Sequence, residues 1–220
     1  MVEFSTIPRD WAGRTVVCAA TGPSLTSEVC AAVVASGHPI IAVSDAWRAL
    51  PGADMLYSSD RRWWRYHDGA ADFQGERWST SGPYPGNDKA DMQEPYGLRL
   101  VHGQTGSTFS ADPGAIRHGE NSGFAALNIA LLTGAERVVL VGYDMRNTGG
   151  KAHFFGNHPT GLYTGDPARF IKNFRAALSS IPAGVEVVCG TPSALDFLPQ
   201  RSLYDALSRS IRSTECPAPG

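Results

Sequence analysis

Short runs of β-branched and aliphatic residues alternate with longer stretches whose apolar positions recur every three or four residues, and this alternation occupies both ends of the chain. Residues 14–20 (RTVVCAA) read as a first strand, 27–37 (SEVCAAVVASG) as a helix closed by Gly37, and 39–45 (PIIAVSD) as a second strand. Residues 53–60 (ADMLYSSD) form an expected third strand. A second block opens with a helix over 121–134, capped by Asn121 or Ser122 and stopped by Gly134, and continues as a strand over 136–144. The continuous apolar centre of that strand suits burial on both faces. Helix 165–180 carries the fullest set of signals: Asp166 as N-cap, Pro167 at the first helical position, and Phe170, Phe174 and Leu178 at fourfold spacing. A last strand at 185–190 and a closing helix at 201–209 precede a tail, 213–220, expected to fray. Strands and helices in this order predict an α/β fold, a Rossmann-like and mostly parallel sheet with helices on both faces.

Residues 61–120 break the rhythm. After a short helical start they are rich in Gly, Pro, Ser, Asp and aromatics without a sustained period, which predicts an irregular insertion serving as acceptor or lid region. With 220 residues the chain suits one core, so a single domain over 1–220 is expected. A net charge of -2 leaves no broad basic footprint for nucleic acid. The stretch RRWWRYH (61–67) could stack on bases and pair with phosphates, but the favoured reading is a helix whose Trp63, Tyr66 and His67 face the sheet while the arginines point outward. The longest apolar run, Phe124 to Leu132, is too short to span a bilayer, and the first ten residues lack a basic stretch followed by an apolar one. A cytoplasmic protein is expected. Cys18, Cys30, Cys189 and Cys216 contain no CxxC pair, so no zinc site follows, and Cys18 and Cys189 read as small core hydrophobes.

Candidate chemistry gathers where the strands stop. The turn Thr21-Gly22-Pro23-Ser24 joins the first strand to the first helix, and such a junction aims backbone amides and a helix dipole at the carboxyl edge of a parallel sheet, where nucleotide phosphates bind. It matches neither GxGxxG nor GxxxxGK[ST]. The same residues also suit a plain turn in which Ser24 or Thr26 caps the helix. Ser44 and Asp45 end the second strand, and Tyr57, Ser58 and Asp60 the third; Asp45 is a candidate acceptor for ribose hydroxyls, or else a cap. Ser122 and Gly123 open a second helix able to face the same ligand.

Taken in order, TGPSL, VSDAW, NSGFAALNIALLTGAERVVLVGYDM, HFFGNHP and VVCGTPSALDF resemble the superfamily that joins bacterial CMP-sialic-acid sialyltransferases to archaeal hydroxymethylpterin diphosphokinase-like proteins, with short phage-encoded members. The likeness covers both ends of the chain and leaves out the middle. It implies Gly22, Pro23 and Ser24 at the nucleotide, Ser122 and Gly123 beside the transferred group, and His158 as general base, with His153 in reserve. Asn157 is an extra residue relative to that motif. The tyrosines that in sialyltransferases stabilise the departing phosphate are missing, and Arg146 and Lys151 stand in that stretch instead. The expected activity is therefore a glycosyltransferase-like transfer from a nucleotide-activated donor to a hydroxyl acceptor, with a histidine accepting the proton and no required cofactor. Two alternatives stay open: a Mg²⁺-dependent diphosphotransferase using Asp144, and a non-enzymatic, phage-associated nucleotide-binding module.

Overall fold

The computed structural model describes residues 2–82, 88–147, 150–156, 162 and 165–208. They form one eight-stranded sheet in which every pairing is parallel. The strands are β1 (Thr15–Ala19), β2 (Ile40–Val43), β3 (Met55–Tyr57), β4 (Glu76–Ser81), β5 (Leu98–Gln104), β6 (Ala115–Arg117), β7 (Arg137–Val141) and β8 (Glu186–Cys189). Their order across the sheet is β6-β5-β4-β3-β2-β1-β7-β8. The helices are α1 (Ser27–Ser36), α2 (Arg61–Tyr66), α3 (Ala90–Tyr96), α4 (Ser122–Leu132), α5 (Pro167–Ala177) and α6 (Leu203–Leu207). The α/β, Rossmann-like expectation is met.

Alternation along the central strands feeds two apolar layers. Val16 and Cys18 of β1 join α4 and α5 on one face, while Val17 and Ala19 join α1, α2, α3 and α6 on the other. β1, β2 and β7 are therefore buried on both sides, which is why they read as unbroken apolar runs. Helix ends follow their sequence signals. Thr26 caps α1 by accepting from the Val29 amide, Gly37 closes it in the left-handed region at φ 66°, and Asp166 caps α5 ahead of Pro167.

The middle segment departs from expectation. Instead of an irregular insertion, residues 61–117 contain α2, β4, α3, β5 and β6, which extend the same sheet outward. These strands lack the usual β-branched signature. In β4 the buried positions include Ser79, Thr80 and Ser81, and the Ser79 hydroxyl donates to the Ser58 carbonyl at 2.6 Å. In β5 Arg99 and His102 are the exposed positions, three residues apart and so on opposite faces, Arg99 lying over the Trp78 ring and His102 stacking on Phe4. On α2 Trp63 and His67 face inward as expected, but Trp64 takes the place expected of Tyr66, which is 59% exposed. Its arginines are tied to carboxylates: Arg61 and Arg65 pair with Asp91, and Arg62 with Asp60.

After β6 the chain crosses back to the centre through α4, which touches β6, β2, β1 and β7. Ten of its eleven residues are buried, so its all-round apolar sequence marks a core helix. Its one polar interior residue, Asn128, is fully buried and fully engaged: Oδ1 accepts from the amides of Ser110 and Arg117, and Nδ2 donates to the Ser110 carbonyl, each at 3.0 Å. Among the described residues no helix is long and apolar enough to cross a membrane. Asn128→Ala leaves three backbone groups without these partners and is expected to lower stability by about 3 kcal/mol, read as a shifted midpoint in urea unfolding.

Candidate functional site

The chain winds outward from β1 through β2 to β6, then restarts on the other side of β1 with β7. Ligands of open parallel sheets collect at the carboxyl ends of strands beside such a reversal. A cavity of about 730 Å³ lies there. Ala20 after β1, Val43 and Ser44 at the end of β2, Ser58 to Asp60 after β3 and Gly142 to Asn147 after β7 make its floor and sides. The start of α4 (Asn121, Ser122, Gly123) and Phe170 of α5 complete it, together with Ala152 and His153 of the loop that follows β7.

The 21–24 turn is built differently from the expected phosphate loop. Two of its amides are already occupied: Gly22 donates to the Gly142 carbonyl at 2.8 Å, and Ser24 to the Asp144 carboxylate at 3.1 and 3.3 Å. The Ser24 hydroxyl also donates to Asp144 Oδ2 at 2.6 Å and lies 2.9 Å from the Thr191 hydroxyl, which accepts from the Gly142 amide. The anion in this crook is the protein's own carboxylate. Burial raises the Asp144 carboxyl above its ordinary range, and the Ser24 hydrogen bonds oppose that shift. Gly22 is obligatory, because a Cβ there would stand 2.1 Å from Asp144 Oδ2 and 2.5 Å from the Gly142 carbonyl oxygen. Consequently Thr21 and Gly22 reach the cavity wall, while Pro23 and Ser24 do not line it.

The other sequence-predicted residues separate in the same way. Ser58, Ser122, Gly123, Asp144, Arg146 and His153 line the cavity. Asp45 does not: it is 3% exposed, accepts from the Trp63 indole at 2.8 Å, and lies 3.3 Å from His67 Nε2 and 3.6 Å from Arg48. Its carboxylate fastens α2 to the end of β2 and leaves no acceptor role toward a ribose in the cavity. Lys151 is exposed and outside the lining. His158 lies outside the described residues. Gly123 has a packing reason as well as a site position, since a Cβ would meet Tyr143 Cε1 at 2.9 Å, and the Tyr143 hydroxyl donates to the Gly123 carbonyl at 3.0 Å.

Three features escaped the sequence reading. A wall of hydroxyls assembles from different elements: Ser59 and Ser122 are joined at 2.8 Å through their Oγ atoms, and the Ser44 hydroxyl donates to Ser58 at 3.2 Å. Trp63 and Phe170 supply apolar surface beside it. Ser44, Glu120 and Met145, three of the five non-glycine residues with positive φ among those described, all line the cavity, at φ 47°, 60° and 51°. Such backbone strain concentrates where a site over-determines local geometry. Nothing in a single sequence announces a positive φ at Ser, Glu or Met. His153, the reserve candidate of the sequence, lines the cavity: its Nδ1 is 2.9 Å from the Thr21 hydroxyl, and its ring stacks on Phe155.

Beyond the cavity wall, Lys89 is fully buried and donates to the Thr80 carbonyl. Burial pushes its ammonium down to about 8, with Asp60 and Asp88 opposing the shift and Arg61 adding to it. Burial likewise lowers the His118 imidazole, and Lys89 adds to that shift. Among the described residues no group of three or more His, Cys, Asp or Glu is arranged to hold a metal ion.

Two outcomes are expected. Gly22→Ala forces the turn off Gly142 and Asp144 and costs about 2–3 kcal/mol in denaturant unfolding, with faster hydrogen exchange at the Ser24 amide. A lysine whose folded-state value is depressed destabilises the fold fully below that value and ceases to do so above its ordinary value. The stability of Lys89→Met relative to the parent should therefore be higher by about 3 kcal/mol below pH 8 than at pH 10.5, falling between the two, measured by unfolding at several pH values. In comparisons with known proteins, no family model, curated protein or solved structure gives a significant match to this chain.

Proposed function

We propose that the protein is a nucleotide-dependent, glycosyltransferase-like enzyme that moves a group from a nucleotide-activated donor to a hydroxyl acceptor. The observation that carries this reading is the convergence, in one cavity at the strand reversal, of a hydroxyl wall, a guanidinium, a helix start and an imidazole. Hydroxyls of Ser44, Ser58, Ser59 and Ser122 suit the sugar hydroxyls of a donor, and Trp63 and Phe170 suit the apolar faces of a base or sugar. Arg146 stands at the rim to meet charge that builds on the departing phosphate, helped by the dipole of α4. His153 takes the acceptor proton, an imidazole being suited to that role near neutral pH. This assignment keeps the transfer chemistry that the resemblance to sialyltransferases and diphosphokinase-like proteins implies but moves the phosphate from the 21–24 turn, where the Gly142 carbonyl takes the Gly22 amide and Asp144 the Ser24 amide, to the α4 and Arg146 side.

The Mg²⁺-dependent alternative rests on Asp144, which is committed to Ser24, so no specific observation favours it. A thermal-shift panel of CMP, UDP, GDP and ATP, with and without Mg²⁺, tests the proposal. A binding nucleotide at a hundredfold excess over Kd contributes about 2.7 kcal/mol, or about 5–10 °C for a chain of this size. The shift should shrink in Arg146→Ala and persist in His153→Gln, which is expected to bind donor without turning it over. No shift with any nucleotide overturns the reading in favour of a module with another ligand, and strict Mg²⁺ dependence with AMP as product turns it to diphosphotransfer.

A further inference from the structure

Thr21 belongs to the turn that the sequence assigns to a nucleotide, yet its hydroxyl is directed at a side chain. Thr21 Oγ1 lies 2.9 Å from His153 Nδ1, 132 residues away in the chain. The tie is double, because the Thr21 carbonyl also accepts from the Phe154 amide at 2.9 Å. The histidine loop is closed on itself as well: His153 and Gly156 exchange backbone hydrogen bonds at 3.2 and 3.0 Å. On the ring's flat side Phe155 stacks with centroids 5.1 Å apart and planes within 4°. Rotation of the imidazole is thus restrained by the stacked Phe155 ring and by the Nδ1 contact with the Thr21 hydroxyl. Threonine suits that contact, since its β-branch limits χ1 and keeps the hydroxyl in place.

We propose that Thr21 is a positioning residue whose hydroxyl accepts the Nδ1–H of His153, fixing the imidazole in the tautomer that makes Nε2 the basic nitrogen. Which ring nitrogen carries the proton is set by the partner of the other, so a hydroxyl acceptor at Nδ1 determines what the ring does at Nε2. The consequence rests on the transfer reading above. The acceptor O–H bond breaks with its proton passing to Nε2, the acceptor oxygen bonds to the transferred group, and the departing nucleotide phosphate keeps the electron pair of the broken donor bond. The imidazolium formed still donates from Nδ1 to Thr21 and, its Nε2 being shielded from solvent, gives up the second proton only when the products leave and water enters. Thr21 touches none of the reacting atoms and acts only through His153.

The test needs no nucleotide. Long-range ¹H–¹⁵N correlation spectra of the uniformly ¹⁵N-labelled full chain, with the His153 signals assigned by their loss in His153→Gln, report which ring nitrogen is protonated above the histidine titration. The expected result is a dominant Nδ1–H form in the parent, retained in Thr21→Ser, and reduced in Thr21→Val to a mixture or to the Nε2–H form. A parent spectrum dominated by Nε2–H overturns the proposal without recourse to any variant, as does a Thr21→Val spectrum identical to the parent's. Under the transfer reading, Thr21→Val also lowers kcat and displaces its pH profile while Thr21→Ser rescues both. An Nδ1–H tautomer in a protein that no nucleotide stabilises would sink that reading and leave the positioning role standing.

Discussion

The carboxylate of Asp144 in the crook of residues 22–24 is the interaction on which the rest of this architecture leans. It joins the ends of β1 and β7, adjacent in space and 120 residues apart in the chain, and it does so with a group taken out of water. A buried carboxylate is tolerated only where donors meet it, and here an amide and a hydroxyl of the same residue do so. Glycines at 22 and 142 allow the two backbones to approach closely enough for that contact. The cleft between the two strand ends therefore has a rigid base. The same arrangement explains why the turn, which has the outward form of an anion cradle, has no vacant amide for a phosphate at Ser24.

With that base fixed, the cavity divides into walls of different chemistry. The side formed by β2, β3 and α4 offers hydroxyls held by one another, and the side after β7 offers a guanidinium and an imidazole. Three strained non-glycine residues, Ser44, Glu120 and Met145, belong to these walls. Strain of this kind persists only when surrounding contacts over-determine the backbone, and the Tyr143 bond to Gly123 and the Asn121 cap on α4 are contacts of that sort.

Much of this was legible before any coordinates. The central strands and α1, α4 and α5 follow from unbroken apolar runs, threefold and fourfold spacing, and caps at Thr26, Asn121 and Asp166. Physical reasons account for the rest. β4 hides its core positions behind Ser79, Thr80 and Ser81, whose hydroxyls find partners only once the sheet exists, so a reading based on apolar alternation passes over it. Ser44 and Ser58 were placed at the cavity because parallel strands share a carboxyl edge, Ser122 because it opens a helix, and His153 through the family resemblance. Asp45 and Ser24 were misdirected for one reason. Their partners, Trp63 and Asp144, lie 18 and 120 residues away, and no local pattern announces that a polar side chain is already committed.

The strand order has a consequence for synthesis. β1 leaves the ribosome well before β7, yet one of its two edges pairs with β7, which ends at Val141. Until those residues emerge, an apolar strand with an open hydrogen-bonding edge waits on the growing chain, and α4, which covers one of its faces, is also still to come. Such a delay between a strand and its neighbour slows folding and exposes a sticky edge to other chains. A nascent polypeptide of this topology exposes that edge to holdase chaperones from the emergence of β1 until β7 arrives to close the sheet.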